Sequence, residues 1–189
     1  MIIQKTPIRG CNIFKGPVHS DARGMFTKPF SASFLDENLW PNGNSLGEIF
    51  WSTSHQDVAR GLHHQTPPFA VNKLVACIQG AILDLVIDLR TDEPTYRKLI
   101  SVRLETANEF SKAITVPAGC AHGFITLSET ATVLYVQSEP YQAANESGVL
   151  LSSIEEFTNH KFTMSERDLA LPHLDQVETF DSLVWENLV

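Results

Sequence analysis

The middle of the chain is a succession of short apolar runs separated by glycine- and proline-containing turns, which is typical of β-strands. The stretch KLVACIQGAILDLVIDLR, residues 73–90, holds two such runs broken at Gln79-Gly80, where we expect a hairpin. In the second run the residue types alternate, as on a strand with two unlike faces. One face carries Leu83, Leu85, Ile87 and Leu89, and the other carries Ile82, Asp84, Val86 and Asp88.

Two further stretches extend this pattern. RKLISVRLE, residues 97–105, predicts one more strand, and SKAITVPAGCAHGFITLSETATVLYVQSEPY, residues 111–141, predicts three. Short strands at this spacing indicate an antiparallel sandwich or barrel. The flanks alternate less and are more acidic, so short helices are expected in SASFLDENLW, residues 31–40, and in SIEEFTNHKFTMSERDLALP, residues 153–172.

Length and cysteine content set the organisation that we expect. A chain of 189 residues without a linker or repeat is expected to form one domain spanning residues 1–189. The three cysteines, Cys11, Cys77 and Cys120, are far apart and form no CxxC pair, which argues against a disulfide framework and favours a reducing compartment. Because the chain also lacks a signal-like N-terminus and an apolar run of 18 residues, we expect a cytoplasmic protein without membrane association.

The net charge of the chain indicates which kinds of ligand it can bind. The formal net charge of −8 repels polyanions, so a general nucleic-acid binder is not expected. A small anionic substrate is compatible with this charge if a few cations share one pocket. The candidates are Arg23, Arg60 and Lys73, since each lies in a distinctive stretch.

The short motif PAGCAHGF, residues 117–124, combines a tight turn with a histidine at the start of a strand. Its P-x-G-x-x-H spacing resembles the second motif of cupin and jelly-roll barrels, in which the histidine points into the barrel. The alternative is a plain Pro-Ala-Gly turn followed by a hydrogen-bonded interior histidine, His122.

A second histidine motif, RGLHHQ, covers residues 60–65. A metal-binding cupin has two histidines at i and i+2 and a glutamate soon after. Here His63 and His64 are adjacent, so on a strand they point to opposite faces, and residues 66–72 contain no Asp or Glu. Transition metals and zinc usually take three or more protein ligands, so no metal is expected.

The remaining polar candidates for a barrel interior are His63 or His64, His122, Lys73 and Tyr135. They suit proton transfer at a carbon next to a carbonyl, which needs a base, a group that stabilises the enolate and an acid. Histidine has a suitable pKa for the base, and a tyrosine with a pKa near 10 keeps its proton at neutral pH. Alternatively, Tyr135 is simply a core residue of its strand.

Seven motifs in order resemble the dTDP-4-dehydrorhamnose 3,5-epimerase family, whose members epimerise nucleotide-linked 4-keto-6-deoxy sugars. They lie between about residues 20 and 175. The motifs are DARGMF (21–26), RGLHHQ (60–65), NKLVACIQGAILDLVIDLR (72–90), PTYRK (94–98), VPAGCAHGF (116–124), YVQSEPY (135–141) and SERDLALP (165–172).

The resemblance implies an all-β, antiparallel jelly-roll (cupin-like) barrel with a few short peripheral helices. It also implies a homodimer formed by exchange of N-terminal strands, without a metal or cofactor. By the same resemblance, His63 is the base, Asp168 orients it, Lys73 stabilises the enolate and Tyr135 reprotonates the other face. Four further residues match substrate-binding positions: Arg23, Phe26, Arg60 and His122. Tyr141 matches a tyrosine near the nucleotide.

Three departures from the family pattern fall where the nucleotide base is expected to bind. Lys28, Glu48 and Phe50 stand where relatives usually have glutamate, glutamine and asparagine. A carboxylate such as Glu48 can accept a hydrogen bond from the exocyclic amine of cytosine, which thymine lacks. The substrate is therefore expected to be dTDP-linked by family default, with a CDP-linked sugar as the alternative. His64 replaces a tyrosine, and its role stays open.

Three hypotheses follow from the sequence. The first is an epimerase acting at C3, C5 or both of a nucleotide-diphosphate-linked 4-keto-6-deoxyhexose, in the biosynthesis of deoxysugars for lipopolysaccharide, O-antigen or related glycans. The second is a metal-dependent cupin enzyme. The third is a non-catalytic jelly roll that binds sugar nucleotides, although the predicted base and acid are both present.

Overall fold

The computed structural model of the protein describes residues 2–29, 31, 46–106 and 110–187. These residues are mostly β-strand. The strands are β1 (Ile2–Lys5), β2 (Asn12–Asp21), β3 (Gly24–Thr27), β4 (Glu48–His55), β5 (Ala59–Gln65), β6 (Lys73–Gln79), β7 (Ala81–Asp88), β8 (Leu99–Glu105), β9 (Phe110–Val116), β10 (Cys120–Thr126), β11 (Thr130–Gln137) and β12 (Glu146–Gly148).

The strands form two antiparallel sheets. The larger sheet has the order β1-β2-β9-β6-β11-β4, with β3 paired to β2, and the smaller has the order β12-β5-β10-β7-β8. Non-consecutive neighbours in both sheets show that the chain crosses repeatedly from one sheet to the other. The predicted antiparallel jelly-roll fold is therefore confirmed.

The prediction of a hairpin at Gln79-Gly80 was wrong. β6 pairs with β9 and β11 in the larger sheet, whereas β7 pairs with β8 and β10 in the smaller one. Gly80 has a φ of +77°, and a Cβ at this position would lie 2.2 Å from the carbonyl oxygen of Thr130. The glycine thus turns the chain between sheets, a use that local sequence does not distinguish from a hairpin turn.

The alternation predicted for β7 is confirmed, and both of its faces are buried. Ile82 and Val86 belong to the cluster between the two sheets, together with residues of the larger sheet such as Val75 and Val133. On the opposite face, Leu85 and Ile87 belong to a second cluster, which also contains Val149, Leu151, Ile154 and Phe157 from the C-terminal part of the chain. Asp84 lies on the face of Ile82 and Val86, so a carboxylate is presented to the barrel interior.

Short helices occupy the C-terminal flank as predicted. Two 3₁₀ turns cover Leu151–Ser153 and Glu155–Phe157, and they are followed by the helices α1 (Glu166–Leu169) and α2 (Ser182–Asn187). The helix expected over residues 31–40 lies outside the described residues, except for residue 31. Within the described part of the chain, no helix is long and apolar enough to cross a membrane.

Candidate active site

A pocket of about 560 Å³ opens into the barrel interior. All four residues predicted to be catalytic line it: His63, Lys73, Tyr135 and Asp168. Five of the predicted substrate-binding residues line it as well: Glu48, Phe50, Arg60, His122 and Tyr141. Strands of both sheets, helix α1 and the loop between β11 and β12 supply these side chains, so residues far apart in sequence meet in one cavity.

His63 and Asp168 are a pair of titratable groups in direct contact in the pocket wall. Nε2 of His63 lies 2.8 Å from Oδ1 of Asp168, and the two side chains are 20% and 5% exposed. Asp168 also accepts a hydrogen bond from the backbone N–H of Gly61. Burial by itself would raise the pKa of Asp168, but the hydrogen bonds and the adjacent imidazole hold it below its ordinary value.

The local sequence explains why Asp168 faces this histidine. Ser165 caps helix α1 by accepting a hydrogen bond from the backbone N–H of Asp168, and this fixes the first turn of the helix. An ionised carboxylate can only accept hydrogen bonds, so Nε2 of His63 carries the proton of this contact. The other ring nitrogen, Nδ1, is then the basic atom.

Lys73 begins strand β6 at the pocket wall and is 7% exposed. Its Nζ donates a hydrogen bond to the backbone carbonyl of His63, 3.1 Å away. Burial lowers the pKa of Lys73 to about 8, with Glu146 and Asp84 acting in the opposite direction. The ammonium is thus protonated at neutral pH and lies beside the strand that carries the candidate base.

Tyr135 projects from β11 into the pocket and is 8% exposed. Its ring stacks on Phe50, with centroids 4.7 Å apart, and meets the ring of His122 edge-on at 6.1 Å. Burial raises the pKa of Tyr135 well above its ordinary value. The phenol therefore stays protonated across the physiological pH range, as a proton donor must.

His122 enters the pocket from β10 after the Pro-Ala-Gly turn. Gly119 in this turn has a φ of +83°, which favours glycine. Nε2 of His122 lies 2.8 Å from Oδ2 of Asp84, and both side chains are almost fully buried. Burial raises the pKa of Asp84, with His122 and Lys73 opposing. Asp84 was not among the residues predicted from sequence for the site, although an acidic residue inside an apolar strand was a usable signal.

Two further charged residues that line the pocket, Glu146 and Arg167, were not predicted from the sequence. Nη1 of Arg167 lies 2.8 Å from Oε2 of Glu146, and the hydroxyl of Tyr141 donates to the same carboxylate oxygen at 2.8 Å. Oε1 of Glu48 accepts a hydrogen bond from the backbone N–H of Tyr141. The rim is therefore a network of charged and aromatic groups. Arg167 was detectable only as the neighbour of Asp168.

Arg60 adds a cation on the strand that carries His63. Its Nε donates to the hydroxyl of Ser54 at 2.9 Å, which orients the guanidinium along the pocket wall. The Arg60 side chain is exposed to solvent, so it is accessible to an anionic ligand.

Three predicted substrate-binding residues lie outside the pocket of their own chain. Arg23 is in the β2–β3 turn with its side chain 88% exposed, and it forms an ion pair with Asp21. Phe26 is 64% exposed on β3, and Lys28 is exposed just beyond that strand. A single chain does not bring these residues to the other nine.

His64 points away from His63, as predicted. It is 2% exposed, meets the ring of Trp185 edge-on at 5.8 Å, and neither of its ring nitrogens has a hydrogen-bond partner among the described residues. Burial, with Lys73 and His63 as further causes, lowers the pKa of His64 to about 3. In the described part of the chain, no three His, Cys, Asp or Glu side chains are grouped as metal ligands would be.

The fold and the pocket define a class of protein. It is a jelly-roll barrel of the cupin type, with a ligand-sized interior cavity lined by several titratable side chains of perturbed pKa. Within that class, comparison with known proteins identifies the family.

The chain belongs to the dTDP-4-dehydrorhamnose 3,5-epimerase family, whose sequence profile matches residues 5–176. It is 33% identical over 180 residues to the dTDP-4-dehydrorhamnose 3,5-epimerase of Salmonella typhimurium, covering 93% of this chain and 97% of that protein. The solved structure of the Elizabethkingia anophelis enzyme is similar with a TM-score of 0.80 and 32% identity, over 93% of this chain and 97% of that one.

A second solved structure carries a ligand. It is the Legionella pneumophila epimerase in complex with dTDP-4-keto-L-rhamnose, with a TM-score of 0.84 and 26% identity over 95% of this chain and 97% of that one. The resemblance to this family that the sequence motifs indicated is confirmed. As a member of the family, the protein is an isomerase.

Proposed function

We propose that the protein inverts C3, C5 or both in a nucleotide-diphosphate-linked 4-keto-6-deoxyhexose, as a step in the biosynthesis of a deoxysugar for surface glycans. The observation that carries this proposal is the His63–Asp168 pair, which faces a pocket that also holds Lys73 and Tyr135. Both C3 and C5 are next to the C4 ketone, so a proton on either carbon is acidified by the same carbonyl.

The chemistry needs only proton transfers. Nδ1 of His63 takes the proton from the carbon, and the C–H electron pair becomes the enolate of the C4 ketone. The Lys73 ammonium stabilises the developing negative charge on the enolate oxygen. The Tyr135 hydroxyl then donates a proton to the opposite face of the carbon, which inverts it. Because no electrons are gained or lost overall, these side chains suffice without a redox cofactor.

The nucleotide is proposed to be dTDP, which the family name and the ligand of the Legionella relative support. A CDP-linked sugar is a second candidate because Glu48, rather than the glutamine of the family pattern, lines the pocket. One of its carboxylate oxygens accepts the backbone N–H of Tyr141, and the other can accept from an exocyclic amine.

Product analysis tests the function and the base preference together. Wild-type protein and Glu48→Gln are incubated with dTDP-, CDP- and GDP-linked 4-keto-6-deoxyhexoses, and epimers are identified by NMR. We expect C3 or C5 epimers from the dTDP substrate, and a Glu48→Gln variant that is unchanged or improved on it. Epimers from the CDP substrate alone, with that activity lost in Glu48→Gln, would assign cytosine as the base. No epimer from any substrate would contradict the proposal.

The protein is further proposed to act as a homodimer in which each pocket receives Arg23, Phe26 and Lys28 from the partner. Strand β4 is at the edge of the larger sheet, and it exposes Ile49 and Trp51 to 57% and 68%. Exposed apolar residues on an edge strand favour pairing with another chain, and Met25 and Phe26 are similarly exposed on β3.

Subunit mixing tests this arrangement. Arg23→Ala and His63→Ala are each expected to be nearly inactive, because each removes one component from every pocket. If Arg23 acts across the interface, mixing the two variants at equal concentration after dissociation leaves about a quarter of the pockets intact. Activity that is not restored on mixing, or a monomer in sedimentation equilibrium, would contradict the exchange.

A further inference from the structure

Phe50 and Tyr135 stand opposite each other on neighbouring strands of the larger sheet. They are Cα partners in the antiparallel register of β4 and β11, and their rings are 4.7 Å apart and inclined by 13°. Directly opposed residues project to the same face of a sheet, and this centroid distance lies in the range of stacked aromatic pairs. The strand register itself therefore produces the stack.

The surroundings of the Tyr135 ring leave it little freedom. Phe50 covers one ring face, and His122 meets the ring edge-on. His122 is in turn held by its hydrogen bond to the buried Asp84. Phe50 is 36% exposed and Tyr135 is 8% exposed, so Phe50 is the more open member of the pair.

The residue type at position 50 restricts what it can do. A phenyl ring neither donates nor accepts conventional hydrogen bonds, so its effect on Tyr135 comes through ring packing alone. The asparagine of the family pattern at this position would act through hydrogen bonds instead. Although the sequence placed Phe50 near the nucleotide base, the contact that the structure shows is with the candidate acid.

We propose that Phe50 is a positioning residue: by stacking on Tyr135 it holds the tyrosine hydroxyl where that group reprotonates the substrate. Phe50 thereby sets the fraction of proton removals that end in inversion. The inference rests on the proposed function of the pocket. Proton transfer requires the donor within hydrogen-bond reach of the carbon, and small displacements of a reacting group cost large factors in rate. Loosening the tyrosine therefore lowers the ratio of inversion to proton removal by His63.

The test compares inversion with exchange in D2O for Phe50→Leu, Phe50→Trp and wild type. Phe50→Leu keeps an apolar side chain but removes the stack, and we expect its ratio of inverted product to exchanged substrate to fall about 3- to 10-fold. Phe50→Trp restores a stacking ring and is expected to keep the wild-type ratio. Phe162→Leu is the matched control, because Phe162 stacks on His160 outside the pocket and its loss leaves the ratio unchanged. An unchanged ratio in Phe50→Leu, or equal losses of inversion and exchange, would overturn the proposal.

A measurement without substrate separates this inference from the proposed function. NMR relaxation of ring-labelled Tyr135 reports how firmly the ring is held, and its order parameter is expected to fall in Phe50→Leu but not in Phe50→Trp. A Tyr135 ring that stays equally rigid in Phe50→Leu rules out Phe50 as its support, whatever the activity. Wild-type protein that exchanges no protons would contradict the proposed function, while the order parameter still decides whether Phe50 holds the tyrosine.

Discussion

His63 and Asp168 are separated by 105 positions in the chain, and their side chains meet with Nε2 2.8 Å from Oδ1. Strand β5 carries the histidine, and the capped first turn of α1 presents the aspartate. The contact fixes both the orientation of the imidazole and the ring nitrogen that carries the proton. The pair is therefore expected to act as one unit in catalysis.

A double-mutant cycle tests whether the pair acts as a unit. His63→Ala is expected to lower proton exchange by about 10²–10⁴-fold, the contribution of a general base. Asp168→Asn is expected to lose part of this factor, since an amide does not provide the same acceptor for Nε2–H. The double variant should be no slower than His63→Ala, as residues of one unit are not additive. Losses that multiply in exchange assays would show that the two residues act separately.

Tyr135→Phe separates proton removal from reprotonation. The phenylalanine fills the same space between Phe50 and His122, but it cannot donate a proton. Deuterium exchange should persist in the variant while the yield of inverted sugar falls by about 10²-fold or more. NMR of the product in D2O measures both quantities, and equal loss of exchange and inversion would argue against separate roles for His63 and Tyr135.

The pH dependence of exchange reports on Lys73. Since burial lowers its pKa to about 8, the ammonium is present below this pH and is lost above it. Enolate stabilisation, and with it the exchange rate, should therefore decline as the pH rises through about 8. In Lys73→Met the rate is expected to be lower by about 10²–10³-fold, and this decline should be absent. Persistence of the decline in Lys73→Met would assign it to another group.

His64 is expected to make stability depend on pH. Its pKa is lowered from 6.5 to about 3 in the folded protein, so between these values the unfolded chain binds a proton that the folded chain does not. Above pH 6.5 His64 does not lower the free energy of unfolding. Below pH 6.5 its effect lowers that free energy by about 1.4 kcal/mol for each unit by which the pH falls. His64→Leu removes the titrating ring and its unpartnered nitrogens.

Urea unfolding at several pH values between 7 and 5 measures this effect. The free energy of unfolding of His64→Leu relative to wild type should rise steadily as the pH falls. His173→Gln, which changes an exposed histidine, is the control for removing any imidazole. If the free energies of unfolding of His64→Leu and wild type differ by the same amount at every pH, His64 is not held neutral by burial.

Local sequence patterns were sufficient to predict the direction of side chains along a single strand. The alternation along β7 and the opposite directions of His63 and His64 follow from strand geometry, and the structure confirms both. Gly80 shows the limit of this reasoning: its turn joins two sheets, and only the pairing partners of β6 and β7 distinguish that from a hairpin.

The parts of the site that were missed depend on contacts between distant elements. The stack of Phe50 on Tyr135 requires the register of β4 against β11, and the link between Arg167 and Glu146 requires α1 to lie beside β12. Neither register nor docking is encoded in a short motif. Asp84 is intermediate, since its place on the same face of β7 as Ile82 and Val86 was predicted, but the burial of that face in the barrel interior and the contact with His122 were not.

Deuterium incorporation from D2O tests the central claim most directly. Wild-type protein and His63→Ala are incubated with a dTDP-4-keto-6-deoxyhexose, and mass spectrometry and NMR follow deuterium at C3 and C5. The account predicts incorporation at one or both carbons next to the ketone by wild type, and a rate lower by about 10²-fold or more in His63→Ala. Absence of deuterium at both carbons with wild-type protein, or incorporation that does not depend on His63, would contradict it.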